Sequence, residues 1–187
     1  MITLTIYLEV ASKKWQRAFM KMPEKIEQAA AAAFLYAKKP RSFDDRNFEI
    51  CITLSDDKAM KDLNHTYRGK NMPTNVLSFP QFKMAGLKAR DLDSFPDQDA
   101  LPLGDVVLAH STIKKECKEQ DKTLENHVIH LVVHGTLHLL GYDHMKPAEA
   151  KKMEKLECDI LQSLGYPDPY HEQDLVKPEP QQKRRRR

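Results

Sequence analysis

Residues 127–144 read HVIHLVVHGTLHLLGYDH and hold five of the chain's eight histidines. Leu131, Val132, Val133, Leu137, Leu139 and Leu140 surround those histidines, so a helix here is apolar nearly all round and must be buried. Imidazoles in a buried helix need partners, because an unpaired polar group is costly there. A helix turns ~100° and rises ~1.5 Å per residue, which puts His134 and His138 ~40° and ~6 Å apart, on one face and within reach of one ion. Gly141 follows at the natural place for a C-cap, where glycine takes the left-handed conformation cheaply. The chain then reverses and can bring His144 back toward His138. His134, His138 and His144 are therefore read as three ligands of one metal ion, zinc being the best fit. Three imidazoles leave a fourth position for water, the pattern of a catalytic rather than a structural site.

His130 also stands one turn from His134, so His130/His134 is a rival ligand pair. His130 and His138, ~12 Å apart along the axis, cannot share an ion. The glycine turn that returns His144 favours the later pair and leaves His127 and His130 packed or hydrogen-bonded behind the ligands. The pattern is not that of the common metalloproteases, which carry a general-base Glu beside the first histidine; here that position is Gly135. A base must come from elsewhere or from the metal's own water. Asp143 is the nearest carboxylate, and it can equally partner an imidazole.

At 187 residues the chain is long enough for one domain with a real core. A formal charge of +3 permits RNA binding without arguing for it. Cys51, Cys117 and Cys158 are odd in number and unclustered, which suits a reducing cytosol better than a disulfide framework. MITLTIYLEV lacks the basic-then-apolar order of a secretory signal, and the apolar run 29–37 is too short to span a bilayer. The expected setting is cytoplasmic, with no membrane.

Alternating residues predict half-buried strands over 2–10 and 47–54. Pro23 opens a helix to about Lys38, which Pro40 ends. Ser55 or Asp56 caps a helix over about 57–66, ending before Gly69. Val76–Phe79 reads as a short buried strand between Pro73 and Pro80. Residues 81–103, with Asp91, Asp93, Asp97 and Asp99, read as a mobile, solvated loop. A strand over 104–109, helices over 110–120 and from 123, and a last amphipathic helix over 147–164 complete the pattern. Its stripe of Met153, Leu156, Ile160, Leu161 and Leu164 reads as core. Residues 171–187 are polar, contain prolines and end in KRRRR, and are expected to be disordered. The class is α+β or α/β, settled here as α+β: a mixed sheet of about four strands with packed helices, the metal site lying on a buried helix and its following turn.

HGTLHLLGYDH (134–144), LNHTYRGKNMPTNVLSFP (63–80), LGDVVL (103–108) and LGYPDPY (164–170) together resemble the YbeY family of bacterial endoribonucleases. The resemblance covers roughly residues 1–170, which then form a single domain. It implies one zinc-like ion on His134, His138 and His144, and an arginine important for activity at Arg68. It further implies single-strand-specific, metal-dependent cleavage of RNA in maturation of the 3′ end of small-subunit (16S) ribosomal RNA and in ribosome quality control. The small ribosomal subunit or its proteins would be partners. Asn71 departs from the pattern where an acidic residue is common, and the KRRRR tail is not a family feature.

Arg68 can hold phosphate oxygens in a bidentate fork, which lysine does poorly. Lys70 is expected to contact the RNA backbone. Asp143 and His130 are the candidates to support the ligands from behind. Thr74 and Ser78 can bind backbone or substrate, though as turn and strand-edge residues they are more often structural. The tail can add salt-dependent, sequence-independent affinity. A competing class is a ribosome-assembly factor with a structural metal, which would call for a fourth protein ligand such as Asp143 or His130.

Overall fold

The computed structural model describes residues 3–40, 43, 46–84, 87–92, 95 and 100–170. Four strands form one sheet in the order β1-β2-β4-β3, where β1 is Thr3–Val10, β2 Asn47–Ser55, β3 Val76–Pro80 and β4 Leu101–Ala109. β1 pairs with β2 and β2 with β4 in parallel, and β3 runs antiparallel to β4. Among the described residues six α-helices accompany the sheet: α1 (Gln16–Phe19), α2 (Pro23–Tyr36), α3 (Asp57–Arg68), α4 (His110–Glu119), α5 (Leu124–Leu139) and α6 (Pro147–Ser163). The fold is α+β with a four-stranded mixed sheet, as the sequence predicts. None of the described helices is long and apolar enough to cross a membrane.

The period of two along each strand decides which helix it meets. Ile50, Ile52 and Leu54 of β2 and Val106 and Leu108 of β4 enter the main core with α2, α5 and α6. The alternate residues of β4, Val107 and Ala109, join Leu77 and Met60 in a smaller cluster beneath α3. Helix α5 lies in the main core, with Val128, Ile129, Val132, Val133, Leu137 and Leu139 all fully buried. Burial of each such side chain contributes about 1.5–3 kcal/mol, so the helix that carries the histidines is among the most firmly held parts of the molecule.

Several local expectations change. Helix α2 stops at Tyr36 because Ala37 turns to extended backbone (ψ 140°). Asp56, not Ser55, caps α3, accepting from the N–H groups of Lys58 and Ala59 at 3.0 and 3.1 Å. The strand expected to be buried, β3, lies at the sheet edge, with Leu77 alone of its residues fully enclosed. β4 starts earlier than expected, at Leu101. A bulge in β4, where Pro102 pairs with Glu49 and Gly104 with Ile50 so that Leu103 is the extra residue, accommodates Pro102, which an uninterrupted central strand would exclude.

Nor is the segment after β3 simply solvated. A 3₁₀ turn over Ala89–Leu92 seats Leu92 in the core, 1% exposed, and Phe95 packs edge-on against Phe82. Asp93, Asp97, Asp99 and the 171–187 tail lie outside the described residues. Between β1 and α2, a turn through Lys13–Trp15 had no periodic signal. It buries Trp15, whose indole N–H donates to the Ser55 carbonyl at 2.7 Å.

Candidate metal centre

Gly141 ends α5 with φ +84°. The N–H of Gly141 reaches the His138 carbonyl and that of Tyr142 reaches the Leu137 carbonyl, both at 3.0 Å, the two bonds of a Schellman cap. The turn is pinned at its far side, where the Tyr142 hydroxyl accepts from the Lys38 N–H, and Asp143 accepts from the His144 N–H at 2.7 Å. The result is the convergence expected from the sequence. One ring nitrogen from each of His134, His138 and His144 lies within 4.8 Å of the others. The ring centroids stand 4.5 to 5.5 Å apart. No other His, Cys, Asp or Glu among the described residues joins that group, so Asp143 and His130 do not make it a four-ligand site.

The hydrogen bonds at the back of the rings fix their tautomers. Nδ1 of His138 lies 2.9 Å from the Tyr142 carbonyl, which only accepts, so Nδ1 carries the proton. Nδ1 of His134 lies 2.9 Å from a carboxylate oxygen of Glu157 and donates likewise. In the neutral rings both Nε2 atoms are then bare lone pairs, and they face each other at 3.0 Å. Two acceptors at that distance repel unless a proton or a cation sits against them. Burial, with the nearby His134 and His144, disfavours a proton on His138 and pushes its pKa down to about 4. The donor set therefore fits a borderline-soft divalent cation, and imidazole nitrogens suit zinc.

The carboxylate behind His134 is one that the helical periodicity concealed. Glu157 on α6 is 1% exposed. It accepts from His134 Nδ1, from His130 Nε2 at 2.7 Å and from the Tyr170 hydroxyl. Burial alone would raise its pKa, but the bonds from His130 and His134 outweigh that and hold it at about 2. The signal was present: Glu157 falls between Met153 and Ile160 on the stripe otherwise read as core. His130 thus meets His134 through a shared carboxylate, and His130, His134 and Glu157 form a second cluster of the kind that could hold a metal ion. A second pair of this type lies one turn earlier, where His127 Nε2 meets Glu116 at 2.7 Å and Asn75 donates to the same oxygen at 3.0 Å.

Gly135 occupies the position of the metalloprotease general base for a packing reason. A Cβ there would meet Val106 Cγ1 at 2.6 Å and Ser78 Oγ at 3.2 Å, so α5 lies directly on the sheet. Ser78 donates to the Gly135 carbonyl at 3.1 Å, a structural role. The Thr74 hydroxyl donates to Asn75 Oδ1 at 3.4 Å.

In front of the histidines lies an open cleft of about 540 Å³. His138, His144 and Asp143 line it together with Arg68, Ser78, Phe82, Lys83 and Met84. Arg68 is the last residue of α3, delivered there by the left-handed Gly69 (φ +67°), and makes no hydrogen bond or ion pair among the described residues. Lys70 is exposed and outside the cleft wall; its N–H closes the α3 cap on the Asn64 carbonyl. The lysine on the wall is Lys83, whose position no local pattern announced.

The family model described as Endoribonuclease YbeY matches residues 10–165 of this chain. The chain belongs to the YbeY family. Family relatives named Endoribonuclease YbeY include one from Parvibaculum lavamentivorans, 47% identical over 147 residues, which cover 79% of this chain and 76% of that protein. One from Rhizobium etli is 43% identical over 146 residues, covering 78% and 80%. One from Paramagnetospirillum magneticum is 42% identical over 172 residues, covering 92% and 99%. A solution structure from Thermotoga maritima aligns with 95% of this chain and 99% of its own at 20% identity, with a TM-score of 0.47. Membership of the YbeY family makes the chain an endoribonuclease, a hydrolase acting on RNA, with a histidine cluster suited to the metal such an enzyme requires.

Proposed function

We propose that this endoribonuclease cuts single-stranded RNA with one zinc ion held by His134, His138 and His144, and that Arg68 grips the phosphate at the cut. Its substrate is the 3′ end of small-subunit ribosomal RNA, met in the cytoplasm during ribosome maturation and quality control. The observation that carries the reading is the pair of bare Nε2 atoms facing each other at 3.0 Å, beside a third imidazole and a cleft whose arginine has no partner among the described residues.

When bound, a zinc ion supplies Lewis acidity toward a phosphoryl oxygen and makes water nucleophilic near neutral pH. The chain's own residues do the rest. The exposed His144 brings the third imidazole to the cleft face. Arg68, with five donors in a planar fork, binds two phosphate oxygens and offsets charge that builds up in the transition state. Lys83 adds a second positive group along the same wall, and Lys70 attracts the flanking backbone from outside it. Phe82 offers a ring on which an unstacked base can lie, a mode of contact open to single strands and closed to duplex. The free thiols of Cys51, Cys117 and Cys158 are at home in a reducing compartment. A structural-metal assembly factor would call for a fourth protein ligand, and among the described residues none joins the three histidines.

The test compares cleavage of a single-stranded RNA with that of the same sequence in a duplex, before and after chelation and zinc add-back. Cleavage confined to the single strand, abolished by chelation and restored by zinc, is the expected result. Cleavage that persists in verified metal-free protein overturns the reading.

A further inference from the structure

Glu157 is an unusual residue to place on a helix stripe. Met153, Ile160 and Leu161 beside it are buried hydrocarbon, and an apolar residue there would pack without the cost of desolvating a charge. Its three donors are the Nδ1–H of His134, the Nε2–H of His130 and the hydroxyl of Tyr170. No lysine or arginine among the described residues pairs with the carboxylate. The group that its charge faces is the His134 ring, whose far side presents the bare Nε2.

We propose that Glu157 is a positioning residue of the metal centre: its carboxylate fixes the plane and tautomer of His134, and its buried charge strengthens the hold of Nε2 on a divalent cation. His130 and Tyr170 keep the carboxylate in place. This rests on the reading that the three histidines hold a metal. A histidine ligand that donates its second N–H to a carboxylate becomes the more basic ligand, and removal of such a partner weakens metal binding about 10- to 100-fold. The Glu116–His127 pair supplies an internal control, because it is built alike on α4 and α5 but touches none of the three ligands.

The experiment measures zinc affinity of the full chain by chelator competition for wild type, Glu157→Gln, Glu157→Asp and Glu116→Gln. Circular dichroism of each metal-free protein checks the fold, and the visible spectrum of the cobalt-loaded form reports ligand geometry. Glu157→Gln keeps the shape and an acceptor oxygen but removes the charge; it is expected to bind zinc about 10- to 100-fold more weakly and to shift the cobalt bands. Glu157→Asp, which withdraws the charge by one methylene, is expected to lose less, and Glu116→Gln to stay within about twofold. Should Glu157→Gln fail to fold, Glu157→Asp decides by the same criteria. Folded Glu157 variants that bind zinc as tightly as wild type, with unchanged cobalt bands, overturn the inference alone. A wild type that binds no zinc overturns the metal reading on which it rests.

Discussion

His138 has one ring nitrogen engaged by the Tyr142 carbonyl and the other turned to His134. His138→Ala is predicted to lose bound zinc while keeping the fold, as metal analysis and circular dichroism would show. Arg68 stands apart from the ligands on the cleft wall. Arg68→Lys keeps a charge but not the bidentate fork, and kcat/KM is predicted to fall about tenfold or more, ~1.4 kcal/mol of transition-state binding, with zinc content unchanged. The meeting of the three histidines was legible in the sequence because a helical i, i+4 pair and a glycine turn are local geometry, whereas Arg68 stands out through the family resemblance. Glu157 was not, because the last helix shows an apolar period that masks a charged residue on the same stripe. Lys83 and the Glu116–His127 pair were not legible either: their neighbours come from other elements, which tertiary packing alone selects.

Among the elements, α5 and β4 are bound most closely at Gly135. Gly135→Ala drives a methyl into Val106 and is predicted to destabilise the fold by about 1–3 kcal/mol, measurable by urea unfolding of the metal-free protein. Helices α4 and α5 are tied by the packing of Ile113 and Cys117 into the shared core and by the Glu116–His127 pair. Burial would raise the pKa of Glu116, but hydrogen bonds from His127 and Asn75 outweigh it and leave the value depressed. The folded state then binds fewer protons than the unfolded one near the ordinary carboxylate pKa of 4.5. Glu116 therefore contributes stability that is fully present above that pH and is lost as the pH falls through and below it. Acid titration of chelated wild type is predicted to lose stability over that window more steeply than Glu116→Gln does. The elements themselves were largely visible from alternation, prolines and caps. The exceptions have physical causes: a bulge let a proline into β4, and Leu92 is buried by a turn within a segment whose charges suggested solvent. Sheet order was not visible, since β4 crosses to lie between β2 and β3.

For the whole molecule, the balance of charge is mild, +3 over 187 residues, and the five basic residues of KRRRR outweigh that sum. Deleting residues 183–187 is predicted to flatten the salt dependence of RNA binding by up to ~0.7 in the log–log slope for each phosphate that the shortened chain no longer neutralises, while leaving zinc content unchanged. An unaltered slope would give the tail no part in binding. The central claim is that a three-histidine zinc site and Arg68 together cut RNA. Its most direct test is cleavage of one single-stranded RNA by wild type, Arg68→Ala and His138→Ala, purified identically and with zinc quantified in each. The account predicts about one zinc per chain and cleavage for wild type, zinc without cleavage for Arg68→Ala, and neither for His138→Ala. Equal cleavage by all three proteins would contradict it.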